Sequence, residues 1–158
     1  MRATPGVPEF DPVRRMRVLA AALDAPMHAE AHINAPFAEV WTVAADLERE
    51  LPHLVPGLLS LTVEDGPRGR TARACGPCGR EGRFDLVLQP GWCLMQSPEV
   101  FGGMAAVAEG GGTRFAVFGG LRPADGAPLD RRPCPRDEAR ARRVIERARV
   151  RVAARWAG

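Results

Sequence analysis

Few side chains in this chain are equipped for chemistry, and their spacing narrows what they can do. Cys75-Gly76-Pro77-Cys78 has the spacing used for thiol–disulfide exchange. That chemistry needs the first thiol at a helix N-terminus, where the positive end of the dipole favours the thiolate. Here Gly79 and Gly82 follow, and then strand-patterned sequence, so a turn built from small residues is the better reading. Cys93 and Cys134 are isolated, whereas a structural zinc site shows two paired knuckles, so no metal is called for. His28 and His32 share one strand face about 13 Å apart, too far to hold one ion, and read as facing solvent. Ser60 and Ser97, the only serines, lack the strand–turn–helix setting of an activated nucleophile. Gly110-Gly111-Gly112 opens a strand rather than a helix, and the chain has no Lys to complete a phosphate loop. His53 differs from the other two histidines. It sits between Pro52 and Pro56 and has the side chain best suited to proton transfer near neutrality. A general acid or base is one reading of it, and an exposed loop histidine is the other.

The elements that would position these groups follow from periodicity. Met27, Ala29, Ala31 and Ile33 alternate with His28, Glu30 and His32, the pattern of a half-buried strand. Pro36 starts a helix in which Phe37, Val40, Trp41 and Ala44 share one face. Residues 46–56 form a second short helix or turn. Leu59, Leu61 and Val63 mark a second strand, 70–75 a third and 83–88 a fourth. Residues 92–97, 101–109 and 113–121 complete the set. Asp65-Gly66-Pro67, Gly76–Gly79, Gln89-Pro90-Gly91 and Gly110–Gly112 are turn chemistry between them. Gly102-Gly103 marks a bulge or a close backbone approach. Short strands joined by tight turns give an antiparallel meander. Residues 122–135 are a Pro-, Asp- and Gly-rich connector. Beyond it Ala141, Ile145, Ala148, Val152 and Trp156 form one apolar stripe of a long helix, with Arg140, Arg143, Arg147 and Arg151 off the stripe on a solvated outer face. The concave face of the sheet is the only large surface that the stripe can cover.

The first strand–helix junction also carries a resemblance. Ile33, Ala35, Pro36, Val40, Trp41 and Asp46 make the run I-x-A-P-x-x-x-V-W-x-x-x-x-D, which resembles the START-like (SRPBCC) superfamily of polyketide cyclases, dehydrases and lipid-transport proteins. The resemblance continues through Leu51–Gly57 and Gly111–Arg114 and spans roughly residues 27–156. It implies an α+β helix-grip fold: a seven-stranded antiparallel sheet curved around a long C-terminal helix, with two short helices after the first strand. It also implies a void between sheet and helix, and it puts His53 near the mouth of that void. Residues 1–26 then stand as an N-terminal extension, partly mobile with a short helix over 13–23, before a domain of residues 27–158.

Against that background Leu61, Phe84, Leu86, Trp92, Leu94, Met104, Phe115, Val117 and Ile145 read as the lining of an apolar pocket, which suits a hydrophobic ligand. Gln96 is the lone polar group in phase with Trp92 and Leu94. Three classes stay open. An enzyme of specialised metabolism, cyclising or dehydrating a polyketide- or aromatic-like molecule, would fold its substrate and exclude water. His53 or Gln96 would handle protons. A non-catalytic carrier would hold a lipid, quinone or polyketide. A regulatory protein would use the Arg-rich helix or the extension. Glu64 and Asp85 fall on outer strand faces unless the register slips by one residue, and the strand of Arg73 does not choose a face.

Composition bounds the rest. A chain of 158 residues makes one domain. The net charge is +3, and all 22 basic residues are Arg. Eight of them lie in residues 136–158 against three acids. They flank an apolar stripe, which argues for a solvated helix face rather than nucleic-acid binding. No apolar run approaches the ~20 residues of a membrane span, and the expectation is a cytoplasmic protein without cofactor. Self-association as a homodimer stays open.

Overall fold

A computed structural model describes residues 11–122 and 135–157; the connector expected over 123–134, with Cys134, and the leader up to residue 10 lie outside them. The chain runs α1 (Pro12–Ala22), β1 (Met27–Ile33), α2 (Phe37–Ala45), α3 (Leu47–Leu54), β2 (Ser60–Gly66), β3 (Gly69–Cys75), β4 (Glu81–Gln89), β5 (Trp92–Gln96), β6 (Val100–Glu109), β7 (Gly112–Leu121) and α4 (Pro135–Trp156). The strands form one antiparallel sheet in the order β1-β7-β6-β5-β4-β3-β2. β2 to β7 are therefore a pure meander, and only β1 is brought in from outside it, beside β7. Long helix α4 packs against β1 and β7 and against α2 and α3. This is the helix-grip arrangement.

Local chemistry explains the boundaries. The carboxylate of Asp11 accepts a hydrogen bond from the Arg14 amide at 2.9 Å and Pro12 occupies the first position of α1, which satisfies one otherwise orphan donor and spares another. Pro36 ends the β1 segment and caps α2. Thr113, fully buried at the start of β7, donates to the Ala35 carbonyl at 2.7 Å, tying that junction to the strand beside β1. Gly91 and the Gly110-Gly111 pair adopt positive φ at the β4–β5 and β6–β7 turns, where residues with a Cβ are disfavoured.

Two apolar layers flank the sheet. The larger lies on the concave side and includes Ile33, Val40, Trp41, Leu51, Leu61, Leu86, Phe115, Ile145 and Val152. The smaller lies on the convex side, where Val13, Met16 and Ala20 of α1 cover Trp92, Phe101, Ala105, Ala116 and Phe118. The sequence reading sets residues 1–26 apart as an extension; the described part of that segment packs onto the sheet.

This second layer corrects several expectations. Trp92 and Leu94 face α1 and not α4, and Cys93 and Met95 take the concave side in their place. Arg15 stacks its guanidinium 4.3 Å from the centre of the Trp92 ring. His28 is not solvated: its Nε2 is buried without a hydrogen-bond partner, 3.5 Å from a Glu30 carboxylate oxygen. Burial pulls its pKa below the usual imidazole value, against the opposing charge of Glu30. His32 is exposed and pairs with Glu109 at 3.1 Å. Gly102-Gly103 is a close approach without a bulge, because register runs unbroken through both residues and a Cβ on Gly103 would collide with the Cys93 carbonyl. Trp156 ends the predicted stripe but is 52% exposed.

Candidate functional site

The concave side is solid at one end and hollow at the other. Under the C-terminal half of α4, Ile145, Ala148 and Val152 are buried in the same cluster as Ile33 and Phe115. Under its N-terminal half lies a cavity of about 710 Å³. Met27, Leu61, Ala74, Phe84, Met95, Met104, Val117 and Leu121 form its sheet wall, Leu51 to Leu58 close one side, and Val144 roofs it.

Strand pairing explains the space. On β6, Val100, Gly102 and Met104 share one face, and on β7 so do Val117, Gly119 and Leu121. Gly102 pairs directly with Gly119, so the centre of this wall carries no side chain at all. Both line the cavity. Cβ positions built on them meet nothing closer than 3.3 Å, the Phe101 carbonyl.

Of the nine residues expected in the lining, Leu61, Phe84, Met104 and Val117 line the cavity. Leu86, Phe115 and Ile145 belong to the solid core. Trp92 and Leu94 lie across the sheet. His53 is exposed on α3 and lies outside the lining, although Leu51 and Val55 beside it are part of it. Gln96, in phase with Trp92, accepts a hydrogen bond from Arg122 in an open depression on the other face of the sheet with Thr71, Arg83, Asp85 and Ser97. The structure thus does not bring His53 and Gln96 together. Glu64 and Asp85 face outward, and Arg73 reaches Glu64 at 3.8 Å on the surface. Cys75 ends β3 and Cys78 sits in a turn with φ of 62°, which places neither thiol at the start of a helix of useful length.

The polar groups that do reach the cavity are ones that sequence reasoning misses. Cys93 lies in its wall, and burial pushes its thiol up to about 12, so it stays protonated and a weak nucleophile. Asp137, Arg140 and Arg143 project from the first turns of α4. The only sequence signal for these arginines is their distance from the apolar stripe, which also describes any solvated residue.

Behind the cavity, α3 and α4 are locked by charge. Glu50 is 1% exposed and accepts from Arg151 Nε at 2.7 Å and Nη2 at 3.3 Å, with Arg155 Nη1 3.5 Å away. Arg155 also reaches Asp46 at 3.1 Å. The Arg151 hydrogen bond outweighs burial and holds the Glu50 carboxyl below its ordinary range. A matching cluster sits on the convex side, where Arg17 and Arg114 both donate to Glu30.

No protein-family model and no curated protein sequence matches the chain. Solved structures do. A protein from Thermus thermophilus is 21% identical, with a TM-score of 0.59 over 82% of this chain and 98% of that one. A START superfamily protein from Mycobacterium smegmatis is 13% identical, with a TM-score of 0.57 over 81% and 97%. The Zhui aromatase/cyclase from a Streptomyces species is 18% identical, with a TM-score of 0.50 over 84% and 96%. At these identities the likeness is one of fold.

Proposed function

We propose that this chain, which has the START-like helix-grip fold, binds a hydrophobic small molecule between the sheet and the N-terminal half of α4. The single observation that carries the proposal is the 710 Å³ cavity with its apolar walls and its paired glycines. Unfilled apolar space forfeits dispersion contacts, and an apolar guest gains roughly 25 cal/mol for each Å² it removes from water. A polyketide, aromatic compound, quinone or lipid tail meets those terms. The geometry favours a carrier: no histidine lines the cavity, and Cys93, the one thiol among the described lining residues, is held protonated.

A cyclase or dehydrase of specialised metabolism is the second reading, favoured by the half-buried Asp137 in the lining. Its carboxylate is the single candidate base among the described lining residues. Such an enzyme would act chiefly by folding its substrate away from water.

Titration with N-phenyl-1-naphthylamine, an uncharged apolar probe that brightens when desolvated, tests the binding reading. Saturable enhancement at one site per chain is expected, with most of it lost in Gly102→Phe. A Cβ at Gly102 has only ordinary contacts, the nearest 3.4 Å away, so the ring fills the void without breaking the sheet. Absence of binding, or equal binding by a variant whose circular dichroism shows it folded, overturns the reading.

A further inference from the structure

We propose that the natural occupant is an apolar acid, and that Arg140 and Arg143 hold its carboxylate at the cavity mouth. This deepens the binding reading above and rests on it. Among the described residues the charged part of the lining is confined to one place. Asp137, Arg140 and Arg143 follow at three-residue steps on α4 beside Val144, whose side chain is buried against the core. The opposite walls are Leu51, Leu61, Met95, Met104 and Val117. A guest in this space meets hydrocarbon along its body and guanidinium groups at one end.

Pairing and position together single out two of the eight arginines of α4. Arg142 is taken by Glu138 at 2.7 Å, and Arg149 by Glu146 at 2.6 Å and the His32 carbonyl. Arg151 and Arg155 are taken by Glu50 and Asp46. Arg136, Arg140, Arg143 and Arg147 make no ion pair or hydrogen bond among the described residues, and of these four only Arg140 and Arg143 border the cavity. A planar guanidinium presents paired donors that match a carboxylate. Among the described residues Asp137 is the one carboxylate in the lining, so their charges at the mouth sum to a single positive surplus. That surplus suits a monoanion, disfavours a dianion because of Asp137, and repels a cation.

Displacement of N-phenyl-1-naphthylamine by dodecanoate and by 1-dodecanol isolates the charge, since the two competitors differ only in their head group. At low ionic strength dodecanoate is expected to displace the probe about tenfold more tightly than dodecanol. The margin is limited because both arginines are solvated. In Arg140→Gln/Arg143→Gln the preference falls to about twofold or less while dodecanol is unchanged, and high salt has the same effect on the native chain. In Arg140→Glu/Arg143→Glu the order reverses and dodecylammonium becomes the best competitor. Equal displacement by acid and alcohol in the native chain, or a preference that survives both double substitutions, overturns the inference and leaves the cavity reading standing. If the probe does not bind, or no competitor displaces it, the cavity reading fails and this inference with it.

Discussion

Replacing Glu50 by Gln tests whether the grip of α4 rests on charge. The side chain is 1% exposed and meets three guanidinium nitrogens within 3.5 Å. Gln keeps the shape but removes the charge and turns an amide NH2 toward donors. A fully buried pair broken in this way costs about 3–5 kcal/mol, and an exposed one about 0.2–1 kcal/mol. Here the acid is buried, but the Arg151 and Arg155 side chains are 31% and 25% exposed and regain water once released. The loss should therefore be about 2 kcal/mol, between those two limits. Equilibrium urea unfolding reads it as a midpoint lower by about 1 M, given slopes of about 1–3 kcal/mol/M. A double-mutant cycle with Arg151→Gln should return a coupling above about 1 kcal/mol. A cycle in which the two losses add without coupling would refute the clamp, and the ion pair would then be a consequence of packing.

Three further outcomes follow from the same geometry. Met16→Ala should cost about 3 kcal/mol in urea unfolding, as for other fully buried residues, because Met16 is enclosed between α1 and the sheet; a loss below about 1 kcal/mol would mean that α1 is loosely held. Arg17, and to a lesser degree Arg114, hold the Glu30 carboxyl at about 2 against an ordinary 4.5. Because that folded-state pKa is depressed, its contribution of about 2 kcal/mol, discounted for the half-exposed Arg17, is present above the ordinary pKa and lost as pH falls from about 5 toward 2. Glu30→Gln should flatten that limb of the urea midpoint against pH, and an unchanged slope contradicts the assignment. Iodoacetamide at mildly alkaline pH should alkylate exposed Cys78 and spare Cys93, whose thiol is raised to about 12; peptide mass mapping checks it, and early labelling of Cys93 would show that water entering by the mouth reaches the thiol and that burial does not hold it protonated.

Much of the fold is legible from side-chain order. Pro36 between an alternating strand and a helical stripe sets the β1–α2 boundary, and turn residues separate the meander strands. What is not legible has one physical origin: the sheet is covered on both faces. Period two says that Trp92 and Cys93 point opposite ways, but with α1 on the convex side both directions are apolar, and the larger ring goes to α1. His28, which faces away from the first core and looks solvated in isolation, has its Nε2 buried on that same side, near Arg17 of α1. The cavity itself is hidden in register. Gly102 and Gly119 lie seventeen positions apart, and only strand pairing sets them side by side. Arg140 and Arg143 sit beside the apolar stripe, where a helix touching a filled core would show them to water; they border a site because the core beneath is absent.

The two halves of α4 therefore do different work. Toward its C-terminus, Ile145, Ala148 and Val152 seat on the solid core, with Arg149 reaching the end of β1 and Arg151 and Arg155 gripping α3. Toward its N-terminus, Val144 and the two arginines overhang the space left by the glycine pair. A sheet that curves away from a straight helix can be filled at one end only if bulky residues bridge the gap, and on β7 the sequence passes from Phe115 through Val117 to Gly119, from filled to bare. Stability is thus concentrated where the cavity is not. Substitutions at Glu50 and at Arg140/Arg143 share no direct contact, so their effects should be nearly independent: the first lowers the urea midpoint with little change in probe affinity, the second changes acid preference with little change in midpoint. A strong effect of Glu50→Gln on acid preference would mean that α4 moves as one lever and that the division between its halves is wrong.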